Sequence, residues 1–228
     1  MLTDAEWQAV GLSLAIGLRS VAFGLPPAIL IAWVLARGRF PGKGLLDALV
    51  HVPLVLPPVV TGYVLLLLFG VRGPFGQLLE QWFGVRLVFT AAGATLATAV
   101  MTFPLQVRAI RLAIELIDPG LEAAARTLGA GAVDRFLTIT LPLMLPGVVS
   151  AAIVGFAAGL GEFGAVITFA SNVPGETQTL PLAIYSALQS PTGDAIAARL
   201  AVVSFALALA GLMLAELVAR RVRRMLGR

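Results

Sequence analysis

Apolar residues run along this chain in long unbroken stretches instead of alternating with polar ones, the pattern of helices solvated by lipid and not of strands in a barrel. Five stretches, at residues 10–36, 45–69, 88–107, 142–170 and 200–218, reach or approach the roughly 20 residues a helix needs to cross bilayer hydrocarbon. The pattern predicts an all-α, polytopic membrane protein forming a single transmembrane domain over residues 1–228. Pro26 and Pro27 predict a kink in the first stretch, whose Arg19 can snorkel to the interface. Pro53, Pro57 and Pro58 crowd the second. A membrane helix tolerates such lost donors only where neighbouring groups re-satisfy the freed carbonyls, so this stretch is a candidate to line a pathway.

The connections are less uniform. Residues 70–87 read as a Gly-rich loop with Arg72, Glu80 and Arg86, and with Trp82 as an interface anchor. Residues 108–141 are amphipathic at helical spacing and too polar to span. Val173-Pro174-Gly175-Glu176 fits a type II turn, and residues 178–190 predict a short external or re-entrant helix, too short to cross.

Composition agrees with the pattern: 59% of residues are hydrophobic and 12% charged, and the mean hydropathy is +0.96. The bilayer is the solvent. A pI of about 10.6 raises nucleic acid as a partner, but the positions of the charges answer that. Threading five spans puts Arg37, Arg39, Lys43, Arg108, Arg111, Arg126, Arg135, Arg220, Arg221, Arg223, Arg224 and Arg228 on one side, and leaves Arg19, Arg72, Arg86 and Arg199 for the other. By the positive-inside rule the N-terminus is expected outside and the C-terminus in the cytoplasm, with no call for nucleic acid. The first residues, Met1 to Trp7, lack the basic start and cleavage site of a secretory signal, so the first span is expected to be retained.

Several chemistries are poorly served. There is no cysteine and one histidine, His51, read as a side chain near a helix entrance, so a thiolate nucleophile or a multi-ligand metal site is not expected, nor any cofactor. Gly38-Arg39-Phe40-Pro41-Gly42-Lys43-Gly44 has three residues between glycines where a phosphate-binding loop has four, and no Ser or Thr after the lysine, so it reads as a turn and the chain as lacking its own ATPase site. No internal repeat supports a secondary transporter. With only a few residues after the last span, no regulatory domain is expected there.

The most informative segment is residues 118–141, between the third and fourth spans. Asp118 is a fitting N-cap, with Pro119 at the first helical position and Glu122 in the first turn. Leu121, Ala125 and Leu128 share a face, Gly129 to Gly131 interrupt, and Val133, Phe136 and Leu137 form a second apolar set. Such an element suits a protein groove better than a bilayer. It resembles the coupling-loop signature of ABC importer permeases: two alanines, a glycine, nine residues, then isoleucine, any residue and Leu-Pro. Ala124-Ala125, Gly129, Ile139 and Leu141-Pro142 match with the spacing intact. One departure is that the acidic residue usually found just before the alanines falls on Ala123, with Glu122 one place earlier.

A narrower resemblance covers nearly the whole chain. Phe40-Pro41-Gly42-Lys43, the run from Pro53 through Pro57-Pro58 to Thr61-Gly62, Ala125-Arg126-Thr127-Leu128-Gly129-Ala130, Gly161-Glu162-Phe163-Gly164-Ala165 and the run from Asn172 to Thr177 are similar to the molybdate permease family, in a group shared with sulfate and tungstate permeases. The resemblance implies an ABC importer permease fold in the bacterial inner membrane and a homodimer with the pathway at its interface. It further implies two cytoplasmic ATPase subunits and a periplasmic oxyanion-binding protein. Sulfate or tungstate is the alternative cargo, and a non-ABC secondary transporter is a more distant one.

The resemblance also assigns roles. Glu122, Ala124, Ala125, Arg126, Leu128, Gly129, Arg135 and Phe136 would couple to the ATPase, with Leu128 and Phe136 as apolar contacts, Arg126 and Arg135 as rim charges, and Gly129 and Gly131 as turning points. Glu162 would lie about 30 Å along a continuous fourth helix counted from Pro142. A carboxylate does not attract an oxyanion, so a gate or packing role is expected of it. Gly155 and Gly159 make a small-xxx-small pair for close helix approach. Pro57, Pro58, Thr61 and Asn172 are the remaining candidates for pathway or gate. No dense group of cations falls inside a span, so an oxyanion cage within this chain is not expected.

Overall fold

Three helices that touch along most of their length organise the molecule, and small residues are what lets them touch. The structure, a computed structural model, describes residues 2–225. Met1 and Arg228 lie outside the described residues, as do the side chains of Arg223 and Arg224. The described residues form helices α1 (Asp4–Arg37), α2 (Lys43–Val55), α3 (Pro58–Phe69), α4 (Pro74–Phe83), α5 (Ala91–Glu115), α6 (Pro119–Thr127) and α7 (Ala132–Arg135). After a π-helical turn at Phe136–Thr140 come α8 (Leu141–Leu160), α9 (Gly164–Ala170), α10 (Leu180–Leu188) and α11 (Asp194–Met225). No strand occurs among the described residues.

At the centre, α5 packs between α1 and α8. Ser13, Gly17, Ser20, Gly24, Ala28 and Ala32 of α1, and Ala151, Gly155 and Gly159 of α8, recur every three or four residues and are buried. Lipid tails are as apolar as leucine, so helices in a membrane gain little from hydrophobicity and associate by close van der Waals contact and polar groups. α5 supplies the polar groups. Thr95, Thr98, Thr102 and Gln106 form one buried stripe on it. The Thr102 hydroxyl donates to the Thr98 carbonyl at 2.9 Å, and that of Ser20 to the Gly17 carbonyl at 2.8 Å, so each is satisfied within its own helix. Gln106 is fully buried, and its amide fills a notch left by two glycines. A Cβ on Gly24 would lie 2.9 Å from Gln106 Oε1, and one on Gly155 would lie 2.5 Å from Nε2. Apolar clusters continue the packing to both ends, around Leu35, Val107, Ile110, Ile114 and Met144 on one side and around Ile16, Leu65, Val166 and Phe169 on the other.

Among the described residues, three helices have the length and apolar composition to cross a membrane, Asp4–Arg37, Ala132–Leu160 and Asp194–Leu214, and the bent pair α2 and α3 qualifies as a fourth if it is one span. α5, at about 37 Å long by its rise per residue, is long enough but carries the polar stripe. The expected second span is therefore not one straight helix: it turns by 115° between Val55 and Pro58. Pro57 and Pro58 provide no N–H donors, and each forces the residue before it into extended backbone, as at Leu56 (ψ 143°) and Pro57 (ψ 135°). Pro26 and Pro27, by contrast, sit within an unbroken α1.

Other expectations change in detail. The loop at 70–87 contains a helix, α4, with Pro74 at its first position and Gly84 closing it at φ 65°. Phe75, Leu78, Trp82 and Phe83 stand exposed on α4, a surface suited to the membrane interface. Arg108 and Arg111 belong to the end of α5 and not to the following segment. Arg111 binds Asp47 of α2 at 2.9 Å and Glu115 at 2.8 Å, and His51 lies against Asp47, one turn earlier on α2. The helix expected to run over 142–170 stops at Leu160 and restarts at Gly164. The turn at 173–176 is as expected, with Gly175 at φ 80° and Glu176 donating to the Val173 carbonyl at 3.1 Å. The short helix within 178–190 is α10, whose Leu180 N–H donates to Ser13 Oγ of α1 at 2.7 Å. α11 is tied to the start of α1 by Arg199, which binds the buried Glu6 at 2.8 Å.

The Gln106 notch yields a test. Gly155→Ala is expected to cost about 1–3 kcal/mol by overpacking. Adding Gln106→Ala to the same chain should recover part of that loss, because the amide that meets the new methyl group is gone. Thermal unfolding in detergent compares the parent, the two single variants and the double variant, and strict additivity would show that the two positions do not meet.

Candidate functional site

Two interrupted helices meet inside the bundle. Gly159, at the end of α8, lies against Thr98 of α5, so the break after Leu160 is about 10 Å in from the start of α5 and about 25 Å from its end. From there α9 runs to the start of α5, where Phe89 donates to the Phe169 carbonyl at 3.3 Å. α3 runs beside it in the same direction. Gly164 faces Pro58 so closely that a Cβ would lie 2.7 Å from the proline Cβ, and Gly62 sits against the Ala165 carbonyl. The N-termini of α3 and α9 therefore begin at one level within the bundle. Half-helices of this kind place partial positive charge at depth and are tolerated only against protein or a water-lined cavity.

The two ends differ in charge. Glu162, half-buried in the break, accepts the Ala165 N–H at 2.9 Å and so caps α9 with a carboxylate. α3 starts at Pro57-Pro58 and has no side-chain cap. Thr61, in the first turns of α3, is buried and its hydroxyl makes no hydrogen bond among the described residues. Pro57, Pro58, Thr61 and Glu162 thus come together, and Glu162 sits in a chain break instead of along a continuous helix. Asn172 is placed elsewhere: it donates to Ser186 Oγ at 2.8 Å and accepts from Gln178 at 3.0 Å, holding the 172–178 turn on α10. Gly62 and Gly164 complete the contact. Both lie in the sequence runs that carry the resemblance, but spacing alone gives no reason to pair them.

The second candidate region is the segment at 118–140. Asp118 accepts from the Gly120 N–H at 2.8 Å and starts α6 as expected. Gly129 ends it at φ 88°, a conformation that side chains with a Cβ resist, whereas Gly131 has an ordinary φ of −66° and is no turning point. Ala124 and Arg126 are exposed, Leu128 is 88% and Val133 72% exposed, and Ala125 is half-buried. Leu121 and Leu137 are exposed as well, whereas Glu122, Arg135 and Phe136 face inward or into the segment itself. Phe136 packs edge-on against Trp33 of α1, with ring centroids 6.0 Å apart, so it anchors the segment instead of standing free. Arg135 donates to the Ala130 carbonyl at 2.8 Å and closes the 129–131 turn. Glu122 pairs with Arg37 of α1 at 3.2 Å and accepts from Thr140 at 3.0 Å. In the sequence Arg37 is one basic residue among many, so its role was not visible there.

Comparison with known proteins bears on both regions. A family model described as the binding-protein-dependent transport system inner membrane component matches residues 28–224. The chain is similar to the molybdenum transport system permease protein ModB of Escherichia coli (strain K12), 56% identical over 228 residues covering all of both chains. It is also similar to the sulfate transport system permease protein CysT of Salmonella typhimurium, 40% identical over 172 residues, 74% of this chain and 62% of that one. Among solved structures, a chain of a bacterial ABC transporter involved in the import of the acidic polysaccharide alginate superposes with a TM-score of 0.76 over 96% of this chain and 80% of its own, at 18% identity, which is a likeness of fold.

The cap at α9 separates a packing role for Glu162 from a charge role. Glu162→Ala removes the acceptor and is expected to cost about 0.5–2 kcal/mol, whereas Glu162→Gln retains an oxygen for the Ala165 N–H and should cost less. Thermal unfolding in detergent makes the comparison, and equal losses would show that the carboxylate charge matters more than the cap.

Proposed function

Because the chain belongs to the family of binding-protein-dependent transport system inner membrane components, we propose that it is the membrane-spanning permease of an ATP-driven importer of molybdate. The observation that carries this reading is identity of 56% along the full length of a molybdenum transport permease, which includes every element described above. Sulfate is the second reading, favoured by the partial match to a sulfate permease, and tungstate resembles molybdate in size and charge.

In this reading two copies of the chain enclose a pathway between them, two separate cytoplasmic ATPase subunits hydrolyse ATP, and a periplasmic oxyanion-binding protein delivers the cargo. The N-terminus lies outside and the C-terminus in the cytoplasm. Five crossings follow: α1, the bent pair α2–α3, α5, α8 continued outward by α9, and α11. The basic residues at the end of α1, along 108–135 and at the end of α11 then share the cytoplasmic side. Leu209, Leu212, Met213 and Leu214, exposed along α11, face membrane lipid.

The segment at 118–140 docks on an ATPase. Leu128 and Val133 offer apolar surface to a groove, with Ala124 and Ala125 allowing close approach and Arg126 at the rim. Closure of the ATPase pair moves this segment and repacks the membrane helices between outward- and inward-open arrangements. At the other end of the path, the uncapped start of α3, with Pro57, Pro58 and Thr61, lies beside the capped start of α9. Their adjacency suits a gate, because a small rotation of either half-helix changes a contact made by a glycine and a proline. Glu162 serves that gate by holding α9 and does not attract the anion.

Proteoliposomes holding this chain with its ATPase and binding protein should take up labelled molybdate only with ATP, and excess sulfate should leave that uptake intact. Uptake blocked by sulfate would move the cargo to the second reading, and uptake without ATP would remove the importer assignment. In the same vesicles Gly129→Val, which forces a β-branched residue to positive φ, should leave ATP hydrolysis running while uptake falls by about tenfold. Loss of folded protein would identify Gly129 as structural only.

A further inference from the structure

The carboxylate of Glu122 is held at a junction of four elements. Arg37 is the last residue of α1. Its Nη2 donates to the carbonyl of Ile117, just past the end of α5, at 3.1 Å, and lies 3.2 Å from Glu122 Oε1 on α6. The hydroxyl of Thr140, the last residue of the π-helical turn, donates to the same carboxylate oxygen at 3.0 Å. Thr140 is buried, and the Arg37 and Glu122 side chains are only 19% and 24% exposed. One turn before Arg37, Trp33 packs on Phe136, the first residue of the π-helical turn. An ion pair therefore fastens α1 to α6, and an aromatic contact fastens it to the π-helical turn that leads into α8.

The geometry also gives a reason for the one departure from the coupling signature. Successive residues of an α-helix are rotated by about 100°, so a carboxylate moved by one position looks out on a different side. Ala123, where the acidic residue is usually found, is exposed, and Glu122 faces the membrane helices. The outward surface of α6 keeps Ala124 and Arg126 for a partner, while the inward surface carries the ion pair. A partly desolvated guanidinium–carboxylate pair with a further hydrogen bond resists separation more than an exposed pair does. Phe136–Thr140 is the one π-helical segment among the described residues, and π-helical turns are frequent where a helix must adjust for function.

Resting on the reading of this chain as an ATP-driven permease, we propose that Glu122 is a positioning residue and that Arg37, Glu122 and Thr140 form the link through which movement of α6 is carried into α1 and α8. α6 and the end of α1 move as one body through the cycle. The ATPase grips the outer surface of α6, and Glu122 turns that grip into displacement of the membrane helices.

The test uses the full importer in proteoliposomes, reading three quantities: ATPase retained on the purified permease, ATP hydrolysis, and molybdate taken up per ATP. Glu122→Gln and Arg37→Gln should each retain the ATPase and its hydrolysis while lowering uptake per ATP by about tenfold. The exchange Arg37→Glu with Glu122→Arg should restore much of that ratio. Loss of ATPase binding in Glu122→Gln but not in Arg37→Gln would overturn the proposal and make Glu122 a docking contact. A parallel fall of hydrolysis and uptake without recovery in the exchanged pair would leave only a structural role, and an unchanged ratio in both single variants would leave none.

Should the charge variants fail to fold, a second arm reads the same point. The chain contains no cysteine, so Arg37→Cys with Glu122→Cys supplies the only thiols of this chain, which a short thiol cross-linker can join in the purified permease before assembly. Unjoined, this variant should show the lowered uptake per ATP of the single variants; joining that restores the ratio supports movement as one body, and a ratio that stays low or falls to zero on joining overturns it. The unsubstituted importer is the control: absence of ATP-dependent molybdate uptake there counts against the parent reading, and the variant comparison counts against this proposal alone.

Discussion

The contact of α5 with α1 and α8 is the constraint on which the remaining structure depends. In a bilayer the helices cannot be driven together by hydrophobic burial alone, so the bundle relies on distance. Glycine, alanine and serine at helical spacing on α1 and α8 bring backbones close, and α5 fills the space with threonines and with Gln106. The polar stripe would be unfavourable facing lipid, so α5 must lie inside, and its neighbours are set around it.

With that centre in place, the rest of the chain is free to be irregular. A helix end inside a membrane exposes backbone groups that lipid cannot satisfy, and here both interior ends are covered by protein. α3 begins beside α9, proline against glycine, and Glu162 takes one of the free N–H groups of α9. The broken helices thus sit against the close-packed trio and not in place of it. At the opposite end the same frame receives the segment at 118–140. Trp33 and Arg37 close the last turn of α1, where Arg37 holds the carbonyl of Ile117 just past α5; Phe136 meets Trp33, and Glu122, itself bonded by Thr140, meets Arg37.

Much of this was legible along the chain. Long apolar runs marked a helical membrane protein, and Asp118-Pro119 and Gly129 marked the limits of α6, because caps and positive-φ turns are local chemistry. Leu128, set on one face with Leu121 by spacing, stands exposed, as does Arg126, which the resemblance placed at a rim. Other residues did not yield. Phe136 looks like surface for a partner when only its neighbours in sequence are considered, yet it packs on Trp33, about 100 positions away. Arg135 looks like a rim charge and instead closes the turn behind it. Pro57-Pro58 announced an irregularity without its size, since a proline can kink a helix or end it depending on what covers the freed carbonyls.

By itself the sequence determined the solvent, the helical class, the family and the local starts and stops, all of which depend on residues within a few positions of one another. Tertiary structure alone decided that the starts of α3 and α9 lie side by side, that Gln106 occupies a notch between two glycines on different helices, and that Glu122 faces Arg37. The physical reason is the same in each case. These contacts join residues far apart in the chain whose types are compatible with many partners, and only the packing of the helices around α5 selects which of them meet.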